Sequence, residues 1–256
     1  MADWHDLERE LDAWQGLDRG PTFWWRDDDA VSATPALERL LALAREAGAP
    51  LALAVIPAAA EHSLVRRLDG VRQVAVLQHG YAHLNHAPPE RRKCELGPER
   101  PAATVLDELS AGRERLRALF GGRALAVLVP PWNRIDGAVA RSLADAGFCG
   151  LSALGPRPER VRAPGLRQVD VHVDLVDWRG GRGFVGLSAA LDQVLGHLAA
   201  RRGGDAEGED EDEPTGLMTH HLVHDAGCWD FVAELLARTR ARPAARWLAA
   251  EELFPG

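Results

Sequence analysis

An α/β fold with a mainly parallel sheet, a barrel or wound sheet of seven or eight strands, is what this sequence predicts. Three observations carry it. Apolar stretches of strand length alternate with amphipathic stretches of helix length from end to end. The run Leu51-Ala-Leu-Ala-Val-Ile56 is apolar at every position, as in a parallel strand covered on both faces. Polar clusters at 27–29, 79–86, 130–134, 174–178 and 220–225 each follow a predicted strand, at the C-terminal rim where such folds build their sites.

In order, Trp4, Leu7, Leu11 and Trp14 fall at helical spacing over 3–15. Gly20-Pro21 ends that helix and a strand follows at 22–27. Thr34-Pro35 reads as an N-cap with proline in the first turn, opening a helix to Ala47. Strand 51–56, a helix around 60–68 and strand 73–77 come next. A polar loop covers 87–102, then a helix 103–120, strand 124–129, the turn 130–134, a helix 136–146 and a short strand 148–152. Residues 153–167 read as Pro/Gly/Arg-rich loop, and Val169–Val176 alternates as a strand with one wet face. A helix at 187–202 precedes the acidic run 203–214, which reads as a mobile surface loop. Strand 216–219, a helix at 229–241 and a short strand at 245–248 complete the chain.

With 256 residues, 46% of them hydrophobic, the chain can bury one sizeable core, and no linker divides it, so a single domain over 1–256 is expected. The formal charge of −8 argues against non-specific binding to nucleic acid or an anionic membrane. Cys94, Cys149 and Cys228 are odd in number and far apart, which fits a reducing compartment without a disulfide framework. The N-terminus lacks the basic start and apolar run of a signal peptide, and no stretch reaches membrane-spanning length, so a cytoplasmic protein is expected.

The chemistry gathers on the strand ends. Asp27, Asp28 and Asp29 are consecutive, and like charges this close call for a cation, a divalent metal being the best; a solvated turn capping the next helix is the other reading. His79 and His83 are four apart, and a helical turn would put both imidazoles on one face to hold one metal. A carboxylate from 27–29 would complete a His-His-Asp set with open positions. His220, His221 and His224 offer a general acid. Pro130-Pro131-Trp132 offers a rigid wall and a backbone donor for an oxyanion at or after Trp132. Asp174, Asp177 and Trp178 offer carboxylates and an indole to stack on a sugar. Glu95 reads as a solvated carboxylate.

The order of these pieces resembles the polysaccharide deacetylase (NodB-type, carbohydrate esterase family 4) superfamily over roughly residues 20 to 250. That resemblance implies a deformed (β/α) barrel of about seven strands with the site at the C-terminal strand ends. It also implies a metal-dependent hydrolase of a non-peptide C–N bond that deacetylates an N-acetylated sugar or glycan precursor. Arg26-Asp27-Asp28-Asp29-Ala30 stands where the family has Thr-Phe-Asp-Asp-Gly-Pro, which makes Asp28 the base and Asp29 a metal ligand; a register with Asp27 and Asp28 fits as well. His79-Gly-Tyr-Ala-His83 matches the metal motif His-Ser/Thr-x-x-His. Val129-Pro-Pro-Trp132 stands for Arg-x-Pro-Tyr/Phe without its arginine, whose place falls to Arg26 or Arg134. Asp174–Trp178 matches the fourth motif. Met218-Thr-His220 matches Leu-x-His and makes His220 the acid, with His221 as the alternate. Trp132, Arg134 and Trp178 are the implied substrate contacts. The implied cofactor is a divalent metal, Zn by ligand type, with Co, Ni, Fe or Mn as alternatives. The alternative function is a catalytically silent sugar-binding or regulatory relative.

Overall fold

The computed structural model describes residues 1–17, 19–157, 160–203 and 211–255. Helix α1 (Trp4–Ala13) is capped by Asp3, whose carboxylate accepts from the His5 and Asp6 amides. Strand β1 (Thr22–Ala30) leads to α2 (Pro35–Ala47), capped by Thr34 and closed by Gly48 in the left-handed region. Then come β2 (Leu51–Val55), α3 (His62–Leu68), β3 (Val74–His79), α4 (Ala102–Phe120), β4 (Ala124–Val129), α5 (Gly137–Arg141) and β5 (Gly150–Leu151). The predicted loop at 153–167 instead holds an antiparallel pair, β6 (Val161–Ala163) and β7 (Leu166–Gln168). The chain finishes with β8 (Val173–Asp174), α6 (Leu187–Gly203), β9 (Thr215–Thr219), α7 (Ala226–Arg240), β10 (Arg246–Trp247) and α8 (Ala250–Leu253).

The sheet runs β6-β7-β5-β4-β3-β2-β1-β9-β8, with β10 also on β1, and all pairings but β6–β7 are parallel. The single segment 166–174 lies beside β5 at its start and beside β9 at its end. The sheet therefore curls round on itself in the manner of a deformed barrel. This explains why Val169–Val176 is only partly a regular strand: it changes partners midway.

Alternation along β1 sorts the core. Phe23 and Trp25 pack outward under α1, α2, α6 and α7, whereas Trp24 points inward among Ala52, Ala54, Ala75 and Phe254. The small residues of β2 and β3 leave room for that indole, whose Nε1 donates to the Asp170 carbonyl at 2.9 Å. Among the described residues no helix is long and apolar enough to cross a membrane.

Most of the predicted acidic loop, residues 204–210, lies outside the described residues. Glu213, at its end, departs from that expectation: it is buried and accepts from the amides of Arg157 (3.2 Å) and Asp170 (2.8 Å). His172 Nδ1 accepts the Gly216 N–H at 3.0 Å, so its Nε2 carries the proton and faces Glu213 at 3.3 Å. His197 stacks on His172 with ring centroids 3.4 Å apart. The ligand atoms of these three residues lie within 4.8 Å of one another. Stacked rings do not converge their lone pairs on one ion, however, and the hydrogen bonds already engage them, so the cluster acts as a seam.

Burial pushes His172 down to about 3 and His197 down to about 2 from 6.5. Both are neutral in the fold, whereas the unfolded chain takes up protons near 6.5. Stability therefore falls as pH drops from about 6.5 toward 3. Asp170, pushed up to about 6 by burial, opposes this between 3.8 and 6, by one proton against two. Urea midpoints from pH 7 to 4 are expected to fall in wild type and to fall less steeply in His197→Gln.

Candidate active site

Alternation on β1 also separates the three carboxylates, and each meets its own partner. Arg26 and Asp28 share the inward face with Trp24. Both are buried, and the guanidinium grips the carboxylate at two points, Nε to Oδ1 at 2.8 Å and Nη2 to Oδ2 at 3.0 Å. The other donors of Arg26 reach the Ser152 hydroxyl (2.7 Å) and Asn133 Oδ1 (2.8 Å). Of the two arginines that the sequence offered for the missing one, Arg26 is the one beside Asp28. Arg134 donates to the Lys93 carbonyl instead.

Asp27 points the opposite way. It accepts from the Thr219 hydroxyl (2.6 Å) and the His221 amide (3.0 Å), and it pairs with His221 Nδ1. Burial opposes ionisation of both side chains, but their mutual attraction holds Asp27 below and His221 above the ordinary values. The sequence thus overstated the need for a metal across the three aspartates: a guanidinium and an imidazolium take two of them.

Asp29, at a φ of 70°, turns toward the third strand end. Its Oδ1 lies 3.2 Å from His79 Nε2 and 3.4 Å from His83 Nε2. The turn that sets this up is not helical, so the two imidazoles meet by a route other than the i, i+4 face of a helix. β3 runs on through His79, and Gly80 and His83 both take φ of 56°. Glu95, expected to be solvated, is buried and accepts the amides of Tyr81 (3.1 Å) and Ala82 (2.8 Å), which folds the turn around it. A Cβ on Gly80 would meet Glu95 Oε2 at 1.9 Å, so only glycine fits.

His79 Nδ1 lies 3.0 Å from the Val129 carbonyl, where it must donate, which aims Nε2 at Asp29. Asp29 Oδ1 is buried without a hydrogen-bond partner. Two ring nitrogens and a carboxylate oxygen thus converge on one point, and this donor set fits a divalent cation with open positions. Burial works against charge on both sides, yet the contact with His79 holds Asp29 below the usual carboxylate range and lifts His79 above 6.5. Burial and the neighbouring His79 charge lower His83.

Two indoles flank this point. Trp132, at a φ of 55° in the turn after β4, lies 4.3 Å from the His83 ring. Trp178 is exposed, donates from Nε1 to Asp174 Oδ2 at 2.8 Å, and lies edge-on to His220 at 4.8 Å. Burial raises Asp174. His220 Nδ1 is buried with no hydrogen-bond partner, and its amide donates to His224 Nε2 at 3.2 Å. His221 is turned away into its pair with Asp27. The sequence offered Asp27 and His221 only as alternates for the base and the acid, not as a pair, read Glu95 as solvated, and gave Ser152 and Asn133 no role. Only the i, i+2 spacing of Arg26 and Asp28 on a strand carried a usable signal.

No family model matches the sequence, and no curated protein matches it by sequence. Solved structures do match. A Mycobacterium smegmatis protein assigned as a polysaccharide deacetylase is similar at TM-score 0.65 and 17% identity, over 93% of this chain and 90% of its own. A peptidoglycan deacetylase from Bacillus subtilis matches at 0.55 and 13%, over 91% and 89%. A family 4 acetyl xylan esterase from Clostridium thermocellum, solved with a cobalt ion, matches at 0.51 and 12%, over 91% and 90%. At such identities it is the fold that is established: the chain has the α/β architecture of the NodB-type deformed barrel shared by polysaccharide deacetylases and family 4 carbohydrate esterases.

Proposed function

We propose that this protein is a divalent-metal-dependent hydrolase of an N-acyl amide bond, deacetylating an N-acetylated sugar or glycan precursor. One observation carries the reading: Asp29, His79 and His83 converge on a single point at the strand ends, next to a carboxylate clamped by an internal arginine. A cation held there, Zn²⁺ by donor type, would acidify water and polarise the acyl carbonyl.

The chain's own residues supply the rest. Asp28 takes the proton of the attacking water, and Arg26 holds its carboxylate aimed at two points. At the turn after β4 the amides of Asn133 and Arg134 are spent on the Pro130 and Pro131 carbonyls. The Trp132 amide is left to face the developing oxyanion. His220 protonates the leaving amine, with its exposed neighbour Trp178 as a platform for the sugar. Loss of the metal ligands removes both binding and chemistry.

The test is metal content by elemental analysis together with acetate release from N-acetylated sugars, for wild type and for His79→Ala/His83→Ala. About one metal per chain with acetate release, both lost in the variant, is the expected result. A wild type that stays metal-free after reconstitution overturns the reading. The silent-relative alternative draws on one feature: both oxygens of Asp28 are already engaged by Arg26. Bound metal and bound sugar without acetate release would identify that relative.

A further inference from the structure

The protein carries a formal charge of −8, yet one rim of the candidate site is cationic. Arg91, Arg92 and Lys93 follow one another on the loop after the metal-site turn, and Lys93 is the only lysine in the chain. Arg134 comes to the same place from the turn after β4, donating to the Lys93 carbonyl at 2.7 Å. Lys93 Nζ stands 6.0 Å from the centre of the Trp132 ring, and Trp132 lies against His83. The rim is therefore one indole away from the point where the ligands converge.

It is also held in place. Asn85 Oδ1 accepts the Cys94 amide at 2.9 Å, and the His86 amide donates to the Cys94 carbonyl at 2.9 Å, so the loop is tied to the turn that carries His83. A cavity of about 460 Å³ opens between this loop and residues 134–137, lined by Arg91, Arg92 and Arg134. Its two carboxylates are engaged: Glu99 pairs with Arg91 at 2.8 Å, and Asp136 caps α5. Among the described residues, Arg92, Lys93 and Arg134 have no carboxylate partner. Three cations without a carboxylate partner, gathered where this tied loop meets the turn after β4 and with Lys93 over the Trp132 ring, form a docking place for an anion that arrives with the substrate.

We infer that the substrate carries an oxyanion, a phosphate or a carboxylate, which docks against Arg92, Lys93 and Arg134 while its N-acyl group reaches the metal ligands across Trp132. This rests on the deacetylase reading for the position of the scissile bond. The anion adds affinity and orientation, and the neutral sugar alone would bind as a poor fragment.

The test is calorimetric binding of three probes to the metal-loaded protein: N-acetylglucosamine, N-acetylglucosamine 1-phosphate and N-acetylmuramic acid. Wild type is compared with Arg92→Ala/Lys93→Ala and Arg92→Glu/Lys93→Glu, whose thermal midpoints confirm folding. The expected result is roughly tenfold or tighter binding of at least one charged probe over the neutral one. That preference should disappear in both variants and shrink at high salt. Whether phosphate or carboxylate is favoured tells which anion the rim serves. Equal affinity for charged and neutral probes, or a preference that survives both variants, overturns the inference, whatever the acetate assay shows. A charged preference lost in the variants, without acetate from any probe, upholds the anion site and removes the deacetylase reading.

Discussion

Arg26→Met is expected to cost about 3–5 kcal/mol of stability, because it leaves the Asp28 carboxylate buried with no cation. Arg26 is fully enclosed, and its donors serve Asp28, Ser152 and Asn133 together, so the change strips a donor from three partners at once. On the deacetylase reading the same change lets the Asp28 carboxylate swing from its line, and acetate release should fall by about 10²–10⁴-fold. Arg26→Lys keeps the charge but cannot grip two oxygens at once, so it should recover much of the stability and little of the rate. Arg26→Met/Asp28→Asn removes both charges. It should be more stable than Arg26→Met alone while remaining inactive. Urea midpoints and acetate assays on the four proteins decide this; a single Arg26→Met variant with wild-type rate removes the clamp from the mechanism.

The two adjacent histidines after β9 are expected to fail in different ways. His221→Gln takes the cation away from Asp27, whose side chain is fully buried, and should cost about 3–5 kcal/mol. His220→Gln breaks no side-chain hydrogen bond among the described residues and keeps a side chain of similar size in a buried place, so it should cost only about 1 kcal/mol. Its effect should fall on turnover, about 10²–10⁴-fold in kcat, because the leaving amine loses its proton donor. The reverse pattern, with His221→Gln stable but inactive and His220→Gln active, would make His221 the acid.

Much of the architecture was legible because periodicity is a short-range property. The unbroken apolar run at 51–56 and the Thr34-Pro35 cap signal became β2 and α2 with almost the expected bounds. Positions where the chain changes partner were not legible. Residues 153–167 read as loop and Val169–Val176 as one strand, but the segment 166–174 serves two neighbours and is regular only at its ends. At the site, the two histidines and the aspartates could be paired on paper, but the aspartates could not be told apart. Which of the three faces which partner depends on strand phase, and a run of identical residues conceals phase. Glu95 was misjudged for another reason: its partners are backbone amides, which leave no trace in the sequence. The acidic run misled similarly, since Glu213 has the composition of its neighbours and the surroundings of a core residue.

The clamp on Asp28 joins residues two apart on one strand, whereas Asp29 and His79 are fifty positions apart. The first contact closes no loop, and the second must close a long one. The carboxylate–guanidinium unit can therefore form as soon as β1 is extended, before β3 docks, while the cation point exists only in the assembled sheet. It also frees evolution's hand at the turn after β4. With the arginine housed in β1, that turn can be rebuilt to suit a new substrate, provided a polar acceptor remains at 133, without disturbing the carboxylate's aim.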